Sequence, residues 1–509
     1  MTSTPLLSKS KLLSCRQCPK KLWLQLYHPE IQVTAASTAA SFGAGNTVGA
    51  VARRLYDPNG CGEVVDLQGL GYVAAFRRTR KLLASARPIF EAGFTSDGAM
   101  AFADVMLPIR RNGTVFWRMV EVKSATETKS YYRDDAAIQA YIARAAGVRL
   151  ESIAVATVDN AWVYSGDGDY RGLLREEDVT EVSLGREQEV RRWIEEAQAI
   201  VNLSAEPQVP TGKHCNDPFP CDFVEHCENQ QEPVEYPVTW LPNIRTKALK
   251  TYVTERGATQ LNEVPDELLN PLQRRVKMQT LSGEVYFDAQ GAADALAQYD
   301  LPAYFLDFET IGFAVPIWKD TRPYQPLTFQ FSVHRIEPDG RLDHRDFLDL
   351  SGNDPREALV EALISVCGTS GPIFVYSSFE RARIGELATQ FPILRFSLDA
   401  LVHRLVDLRP IAERCYYHPG QQGSWSIKKL LPAITGKKYE ELDGVKEGCM
   451  AMEAYLEAIQ PETSAERKAA IEMQLRVYCA LDTKAMVEIW RVFSGRARDF
   501  LTRESTFHR

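Results

Sequence analysis

The sequence predicts an α/β protein with more than one domain. At 509 residues the chain is long enough for two or three domains. Its first part contains an alternating strand–turn–strand pattern followed by a helix, and its last part contains apolar strands interspersed with helical patterns. We expect one domain over residues 1–230, a helical connector over residues 231–300 and another domain over residues 301–509.

Composition limits the expected partners and location. The net charge of −8 gives no overall attraction to nucleic acid, so local basic groups would have to supply it. No apolar run approaches the roughly 20 residues that a membrane span needs, and the first residues lack a signal-peptide pattern. We therefore expect a cytoplasmic protein with no membrane partner. The candidate basic residues are Lys9, Lys11, Arg16, Lys20, Lys21, Arg53, Arg54, Arg77, Arg78, Arg80, Lys81, Arg110 and Arg111.

Four of the ten cysteines have the spacing of a metal or cluster site. Cys18 begins a Cys-Pro segment, and Cys215, Cys221 and Cys227 follow much later in a Cys-x5-Cys-x5-Cys run. Three close thiols and one distant thiol suit a centre that joins two parts of a chain, and zinc and iron–sulfur centres both accept four thiolates. The alternative ligands are Cys15 and His214. The cysteines expected to be structural are Cys61, Cys367, Cys415, Cys449 and Cys479.

A carboxylate–lysine pattern lies between these cysteines. Residues 101–107 and 115–123 predict the two strands of a hairpin with a turn at Arg111-Asn112-Gly113. Side chains alternate along a strand, so Glu121 and Lys123 share a face, and Asp104 of the neighbouring strand can meet them. Such a group could hold Mg²⁺ or Mn²⁺ and activate a water molecule. A surface Glu–Lys pair is the structural alternative.

A helix is predicted to follow the hairpin, beginning near Asp134. Asp135 and Gln139 are four residues apart and share one helical face, so both can point toward the strands. Tyr141 is expected to pack on another side.

Together these motifs resemble the PD-(D/E)XK nucleases of the RecB type. The resemblance is narrower to the iron–sulfur branch that includes CRISPR-associated adaptation nucleases and AddB helicase–nuclease subunits, and it covers about residues 1–230. It implies a restriction-endonuclease-like fold in which Asp104 and Glu121 bind the metal ion and Lys123 and Gln139 complete the catalytic site. It also implies a 4Fe–4S cluster, with zinc as the alternative, on Cys18, Cys215, Cys221 and Cys227.

Two positions depart from that family's pattern. Relatives often have a metal-binding histidine in the first helix, where this chain has Val48. The usual Gln-x-x-x-Tyr motif reads Gln139-Ala140-Tyr141, so only Gln139 corresponds to it.

The last part of the chain has its own acidic pattern. Residues 303–310 predict a buried strand that ends in Asp307-x-Glu309, whose side chains share one face. Residues 327–333 and 372–376 predict further strands, and Glu380 follows at a predicted helix start. Near the C-terminus, Tyr478 and Asp482 are four residues apart in a helical pattern.

In this order the five residues resemble the DEDD 3′–5′ exonucleases of the DnaQ type, which have a ribonuclease-H-like fold. The resemblance covers about residues 301–495. It implies that Asp307, Glu309, Glu380 and Asp482 hold two metal ions and that Tyr478 positions the attacking water. Most relatives have Asp where this chain has Glu380. Lys428 is a candidate phosphate contact and Asp407 a candidate supporting acid.

The two resemblances imply a metal-dependent nuclease that acts mainly on DNA, with roles in DNA repair or in defence against foreign DNA suggested by analogy. The chain has no Gly-x4-Gly-Lys-Ser/Thr motif, so any helicase activity would come from a protein partner. Val48 and Glu380 motivate the alternative of a nucleic-acid-binding scaffold subunit with one or both sites inactive. A zinc-containing RNA-processing enzyme is a third interpretation.

Overall fold

The computed structural model describes residues 5–33, 36–436 and 444–496, and for residues 36–42 it describes the backbone alone. The chain is an α/β protein with two compact units. The first unit comprises Met1–Pro233 and Gly312–Gln325, and the second comprises Val234–Ile311 and Pro326–Arg509. This division differs from the expected one in two respects. Most of the expected connector belongs to the second unit, and Gly312–Gln325 belongs to the first.

The elements of the first unit surround one mixed sheet. Its helices are α1 (Lys9–Gln17), α2 (Pro19–Tyr27), α3 (Ala36–Tyr56), α4 (Leu67–Leu70), α5 (Tyr72–Leu83), α6 (Ser130–Ala145), α7 (Thr180–Leu184), α8 (Glu187–Val201) and α9 (Val224–Asn229). Its strands are β1 (Leu7–Ser8), β2 (Glu63–Val64), β3 (Ile89–Ser96), β4 (Ala99–Arg111), β5 (Thr114–Lys123), β6 (Leu150–Val158) and β7 (Leu174–Asp178).

The predicted hairpin is confirmed as β4 and β5. Asn112 and Gly113 both have positive φ, of 48° and 76°, which suits a two-residue turn between antiparallel strands. The sheet order is β2-β3-β4-β5-β6-β7, and β1 also pairs with β4. β5 pairs with β4 only as far as Val120, whereas Glu121 and Lys123 pair with β6. The end of β5 therefore diverges from β4, and the start of β4 pairs instead with β1.

Gly312–Gln325 completes part of the first unit's core. Ala314 and Val315 join a buried apolar cluster that includes Val48, Val51 and Val158. Hydrogen bonds between backbone groups join Tyr164 to residues 320 and 321. The Tyr324 hydroxyl donates to the carbonyl of Ser124, the residue after Lys123. These buried apolar contacts explain why this segment belongs with the first unit rather than with the strands that flank it.

The second unit also contains a mixed sheet. Its helices are α10 (Lys247–Glu255), α11 (Pro271–Ser282), α12 (Ala289–Leu296), α13 (Arg356–Cys367), α14 (Phe379–Gln390), α15 (Arg395–His403), α16 (Arg409–Cys415), α17 (Ile427–Thr435), α18 (Gly448–Ala458) and α19 (Ala465–Phe493). Its strands are β8 (Tyr286–Phe287), β9 (Ala303–Ile311), β10 (Leu327–Ile336), β11 (Leu342–Leu348), β12 (Ile373–Val375), β13 (Leu405–Asp407) and β14 (Tyr416–Tyr417).

The main sheet of this unit has the order β11-β10-β9-β12-β13. β9, β12 and β13 are parallel, and β10 is antiparallel to both β9 and β11. Tyr304 and Leu306 of β9 face a core cluster with residues of α13, α14 and α15. Phe305 faces the opposite cluster, which contains Trp490 of α19. This alternation places Asp307 and Glu309 on the α19 side of the sheet.

Across the described residues, no helix is both long enough and apolar enough to serve as a membrane span.

Candidate active sites and cysteine centre

The first candidate site lies where β5 diverges from β4. Trp117 and Met119 of β5 point into the main core cluster of the first unit, and the same strand face continues as Glu121 and Lys123. The face thus changes from apolar to charged toward the end of the strand. Asp104 of β4 fills the gap between the strands, because its Oδ2 accepts a hydrogen bond of 2.7 Å from the Val122 N–H.

The N-terminal half of α6 supplies two further side chains to this site. Asp135 Oδ2 lies 2.6 Å from Lys123 Nζ, which also donates to Glu121 Oε1 at 2.6 Å. Gln139 Nε2 donates to Glu121 Oε2 at 2.5 Å. The expectation that Asp135 and Gln139 face the strands is therefore confirmed, and Tyr141 packs elsewhere, with its hydroxyl on Asp97.

Lys9 is a member of this site that sequence reasoning missed. In the sequence, Lys9 stands out only as one of many basic residues that could attract nucleic acid. Its Nζ lies 2.9 Å from Glu121 Oε1 and 3.0 Å from Asp135 Oδ1. Two lysines and two carboxylates thus form a closed group of ion pairs. Other residues of that basic set also have internal partners, since Lys20 pairs with Glu206 and Arg16 pairs with Asp134.

The carboxylates of the first site differ in their affinity for protons. Burial raises the pKa of Asp104 to about 8, repulsion from Glu121 adds to this, and Lys9 and Lys123 oppose it. Burial also acts to raise the pKa of Glu121, but Lys123 and Lys9 outweigh it and hold that pKa well below its ordinary range. Asp104 therefore lacks a sufficient positive partner, a deficit that a divalent cation bound by Asp104 and Glu121 would remove.

One buried acceptor of the first site has no partner. Gln139 Oε1 is buried and forms no hydrogen bond with the residues that the structure describes. A buried polar atom without a partner costs free energy unless water or a ligand satisfies it. The carboxylate oxygens of Asp104 and Glu121 could bind a Mg²⁺ or Mn²⁺ ion, and Gln139 Oε1 could accept a hydrogen bond from a water molecule on that ion. These residues therefore fit a hydrated divalent ion. Val48, which stands at the position of the relatives' histidine, lies in the apolar cluster described above and offers no ligand atom.

The four predicted cysteine ligands come together. Cys18, Cys215, Cys221 and Cys227 line one cavity in the first unit. Cys18 immediately precedes α2, Cys227 lies on α9, and the Cys221 N–H donates to the Cys215 carbonyl at 2.8 Å. Their chemistry fits a centre with four thiolates. Cys15 packs against the main core cluster, whereas His214 lines the cavity, with its Nε2 3.7 Å from Cys215 Sγ.

Burial makes two of the four thiols, those of Cys221 and Cys227, resist ionisation while no cation is bound. It raises the pKa of Cys221 and of Cys227, although Lys21 and Lys20 respectively oppose this, and the neighbouring cysteines add to it. A bound metal or cluster would stabilise the thiolates and compensate for this cost.

The second candidate site is a cavity of about 250 Å³ in the second unit. The five residues predicted for this site, Asp307, Glu309, Glu380, Tyr478 and Asp482, all line it. On β9, the face that carries Phe305 near Trp490 continues as Asp307 and Glu309. On α19, the corresponding face runs from Trp490 back through Met486 to Asp482 and Tyr478. The facing sides of β9 and α19 therefore both change from apolar residues to polar and acidic residues toward the cavity.

The second site has more buried carboxylates than nearby cations. Burial and repulsion from Asp482 raise the pKa of Glu309 to about 8, whereas Lys428 opposes this. Burial raises the pKa of Glu380, in the first turn of α14, to about 7. Burial beside Asp482, Glu309 and Glu380 raises the pKa of Asp307 well above its ordinary range. Such a group of oxygen donors fits divalent metal ions, which would balance its charge.

The two less specific predictions for this unit have different outcomes. Lys428 lines the cavity, its Nζ donates to the Lys446 carbonyl at 2.9 Å, and it lies 5.4 Å from the centre of the Tyr478 ring. Asp407 stands at the end of β13, accepts a hydrogen bond from the Arg409 N–H, and helps to raise the pKa of Glu380 by repulsion.

The sequence predicts that Cys479 is a structural cysteine, but the residue lies beside the second site. Its sulfur and one carboxylate oxygen each of Asp307 and Glu309 lie within 4.8 Å of one another. The residue is fully buried, and its position between Tyr478 and Asp482 on α19 is the signal that could have placed it here. Its sulfur therefore packs against the carboxylates of Asp307 and Glu309.

The comparisons with known proteins concern the second unit. Residues 304–426 match the sequence model of a family described as a domain of unknown function, DUF2779. The match includes Asp307, Glu309 and Glu380, whereas Tyr478 and Asp482 lie beyond it. No curated protein matches the chain.

Proposed function

We propose that the chain is a metal-dependent nuclease that cleaves phosphodiester bonds, mainly in DNA, and has two separate active sites. The observation that carries the proposal is the cavity of the second unit. Four carboxylates from β9, α14 and α19 meet there with Tyr478, in the arrangement expected of a DEDD 3′–5′ exonuclease. The mixed sheet with β9 at its centre supports the ribonuclease-H-like interpretation of this unit.

The first unit supports the proposal through a different set of residues. Asp104, Glu121, Lys123 and Gln139 converge at the divergence of β4 and β5, as expected of a RecB-type PD-(D/E)XK nuclease. Asp104 is half-buried beside the buried Glu121, so ionising it is costly without a cation, and a surface Glu–Lys pair would not be buried in this way. The geometry therefore favours a metal site over the structural alternative.

The residues of both sites suit hydrolysis. Divalent ions held by the carboxylates would supply an activated water and stabilise charge on the phosphate. In the first site, we infer that Lys123 would offset the charge of the transition state and that Gln139 Oε1 would accept a hydrogen bond from water. In the second site, the Tyr478 hydroxyl would orient water and Lys428 would contact a phosphate.

We also propose that Cys18, Cys215, Cys221 and Cys227 bind a 4Fe–4S cluster, with zinc as the alternative. The convergence of one thiol before α2 with three thiols around α9 supports a centre that joins the two ends of the first unit's main segment. Iron, acid-labile sulfide and zinc analysis of anaerobically purified protein separates the two possibilities.

The test is cleavage of 5′- and 3′-end-labelled single- and double-stranded DNA and RNA with Mn²⁺ or Mg²⁺. The wild type is compared with Lys123→Ala, Asp307→Ala and the double variant. Lys81→Ala and Glu361→Ala, which remove exposed charges from the same two units, are the controls. If both sites are active, each single variant loses a distinct set of products and the double variant loses all cleavage.

Other outcomes point to other functions. Loss of all cleavage in one single variant would make the other unit a binding or regulatory module. If the folded, metal-loaded wild type cleaves nothing but binds nucleic acid, the protein is a scaffold subunit of a larger complex. Faster cleavage of the RNA substrates than of the DNA substrates would support a role in RNA processing.

A further inference from the structure

Lys9 reaches the first site because of a short parallel strand pair. Leu7 and Ser8 of β1 pair with Ala99 and Met100 of β4, in the part of β4 that does not pair with β5. The Ser8 side chain then caps α1, and Lys9 is the first residue of that helix. The strand pairing and the cap together fix the start of the Lys9 side chain beside the carboxylates.

The Lys9 ammonium occupies a position that suits a cation. It lies between Glu121 Oε1 and Asp135 Oδ1, at 2.9 Å and 3.0 Å, with only 19% of its side chain exposed. Glu121 Oε1 also accepts from Lys123, and Glu121 Oε2 accepts from Gln139. Both oxygens of Glu121 are therefore engaged, and the space between Glu121 and Asp135 already contains a positive charge.

We propose that Lys9 is an intrinsic cation of the first site that stands in place of a second divalent metal ion. The site would then bind one Mg²⁺ or Mn²⁺ ion at Asp104 and Glu121 rather than a pair. The surroundings of the site support a single ion. Asp135 is already paired with both lysines, and Val48 has no atom that could bind a metal ion. An ammonium at this point repels a further divalent cation.

The inference rests on the proposed function, and its test counts metal ions instead of measuring cleavage. The background protein for this test is the 509-residue chain with its cysteine centre loaded. It carries the substitutions Asp307→Asn and Asp482→Asn, which remove ligands of the second site. Mn²⁺ binding is measured by calorimetry and electron paramagnetic resonance in this background and after adding Lys9→Gln. The controls are Lys9→Arg, which keeps the charge, and Lys11→Gln, which removes a lysine from the same helix.

We expect one Mn²⁺ ion in the background protein, in Lys9→Arg and in Lys11→Gln, and two ions in Lys9→Gln. Two ions in the background, or one in a folded Lys9→Gln protein, would overturn the role of Lys9 while leaving the proposed function intact. No Mn²⁺ in the background would remove the metal site and with it the proposed function of the first unit. If circular dichroism shows that Lys9→Gln does not fold, Lys9→Met, which removes the charge and keeps the apolar part of the side chain, is measured in its place with the same expected count of two ions.

Discussion

The substitution Glu309→Gln is expected to stabilise the metal-free protein at alkaline pH while inactivating the second site. Glu309 is 8% exposed. Burial and Asp482 raise its pKa from the ordinary 4.5 to about 8, against the effect of Lys428. The folded protein therefore binds this proton more tightly than the unfolded chain does. Protonation of Glu309 therefore stabilises the folded protein. This stabilisation is complete below pH 4.5, and it is lost as the pH rises through about 8.

The size of the effect follows from the pKa displacement. At about 1.36 kcal/mol per pH unit, the complete cost of ionising Glu309 in the fold is at most about 5 kcal/mol. Between about pH 5.5 and pH 8.5 the wild type should lose roughly 3 kcal/mol of unfolding free energy through this carboxyl. Glutamine has a similar shape and no proton to lose, so the variant should not show that loss.

The assay is hydrogen exchange with chelator present, followed by mass spectrometry of peptides from β9 and α19. It reports the opening free energy of the second unit separately from that of the first. Glu361→Gln, which changes an exposed carboxylate on α13, is the matched control. Mn²⁺ should cancel the advantage of Glu309→Gln, because the ion binds the folded wild type. An equal effect of Glu309→Gln at both pH values would refute the reasoning.

Three further substitutions test the remaining groups. Lys123→Met should lower cleavage by the first site at least about 10²-fold in steady-state assays, because it removes an ammonium shared by Glu121 and Asp135. Unchanged rates would contradict its role. Cys221→Ser should lose the bound iron or zinc and lower the thermal midpoint of the first unit, whereas the exposed Cys61→Ser should retain both. If the proposed function is correct, Tyr478→Phe should slow 3′-end trimming about 10²-fold and leave Mn²⁺ affinity unchanged, and an equal loss of metal binding would assign the hydroxyl a structural role.

Local patterns predicted the parts of both sites that lie within one element or in adjacent ones. The Asn112-Gly113 turn determines the hairpin, and strand alternation determines that Glu121 and Lys123 share a face. The same alternation pairs Asp307 with Glu309, and helical spacing pairs Tyr478 with Asp482. These relations depend on periodicity, which is visible in the sequence.

Long-range pairing could not be predicted in the same way. Lys9 enters the first site through the pairing of β1 with β4, and a lysine after a short apolar stretch has no feature that indicates this. Cys479 lies beside the acids only because α19 packs against β9. The balance of charge around the buried carboxylates is likewise a property of the packed structure. The sequence shows how many lysines the chain has, but it does not show which of them come within contact distance of a carboxylate.

The placement of Gly312–Gln325 has a consequence for the order of folding. The cluster around Val48 and Val158 requires Ala314 and Val315, which are synthesised after the first strand of the second unit. During translation the first unit therefore cannot complete this cluster until Ala314 and Val315 have left the ribosome. A fragment that ends at Pro233 would leave the cluster open to solvent. Separate expression of the first unit should therefore succeed only when a linker reattaches this segment.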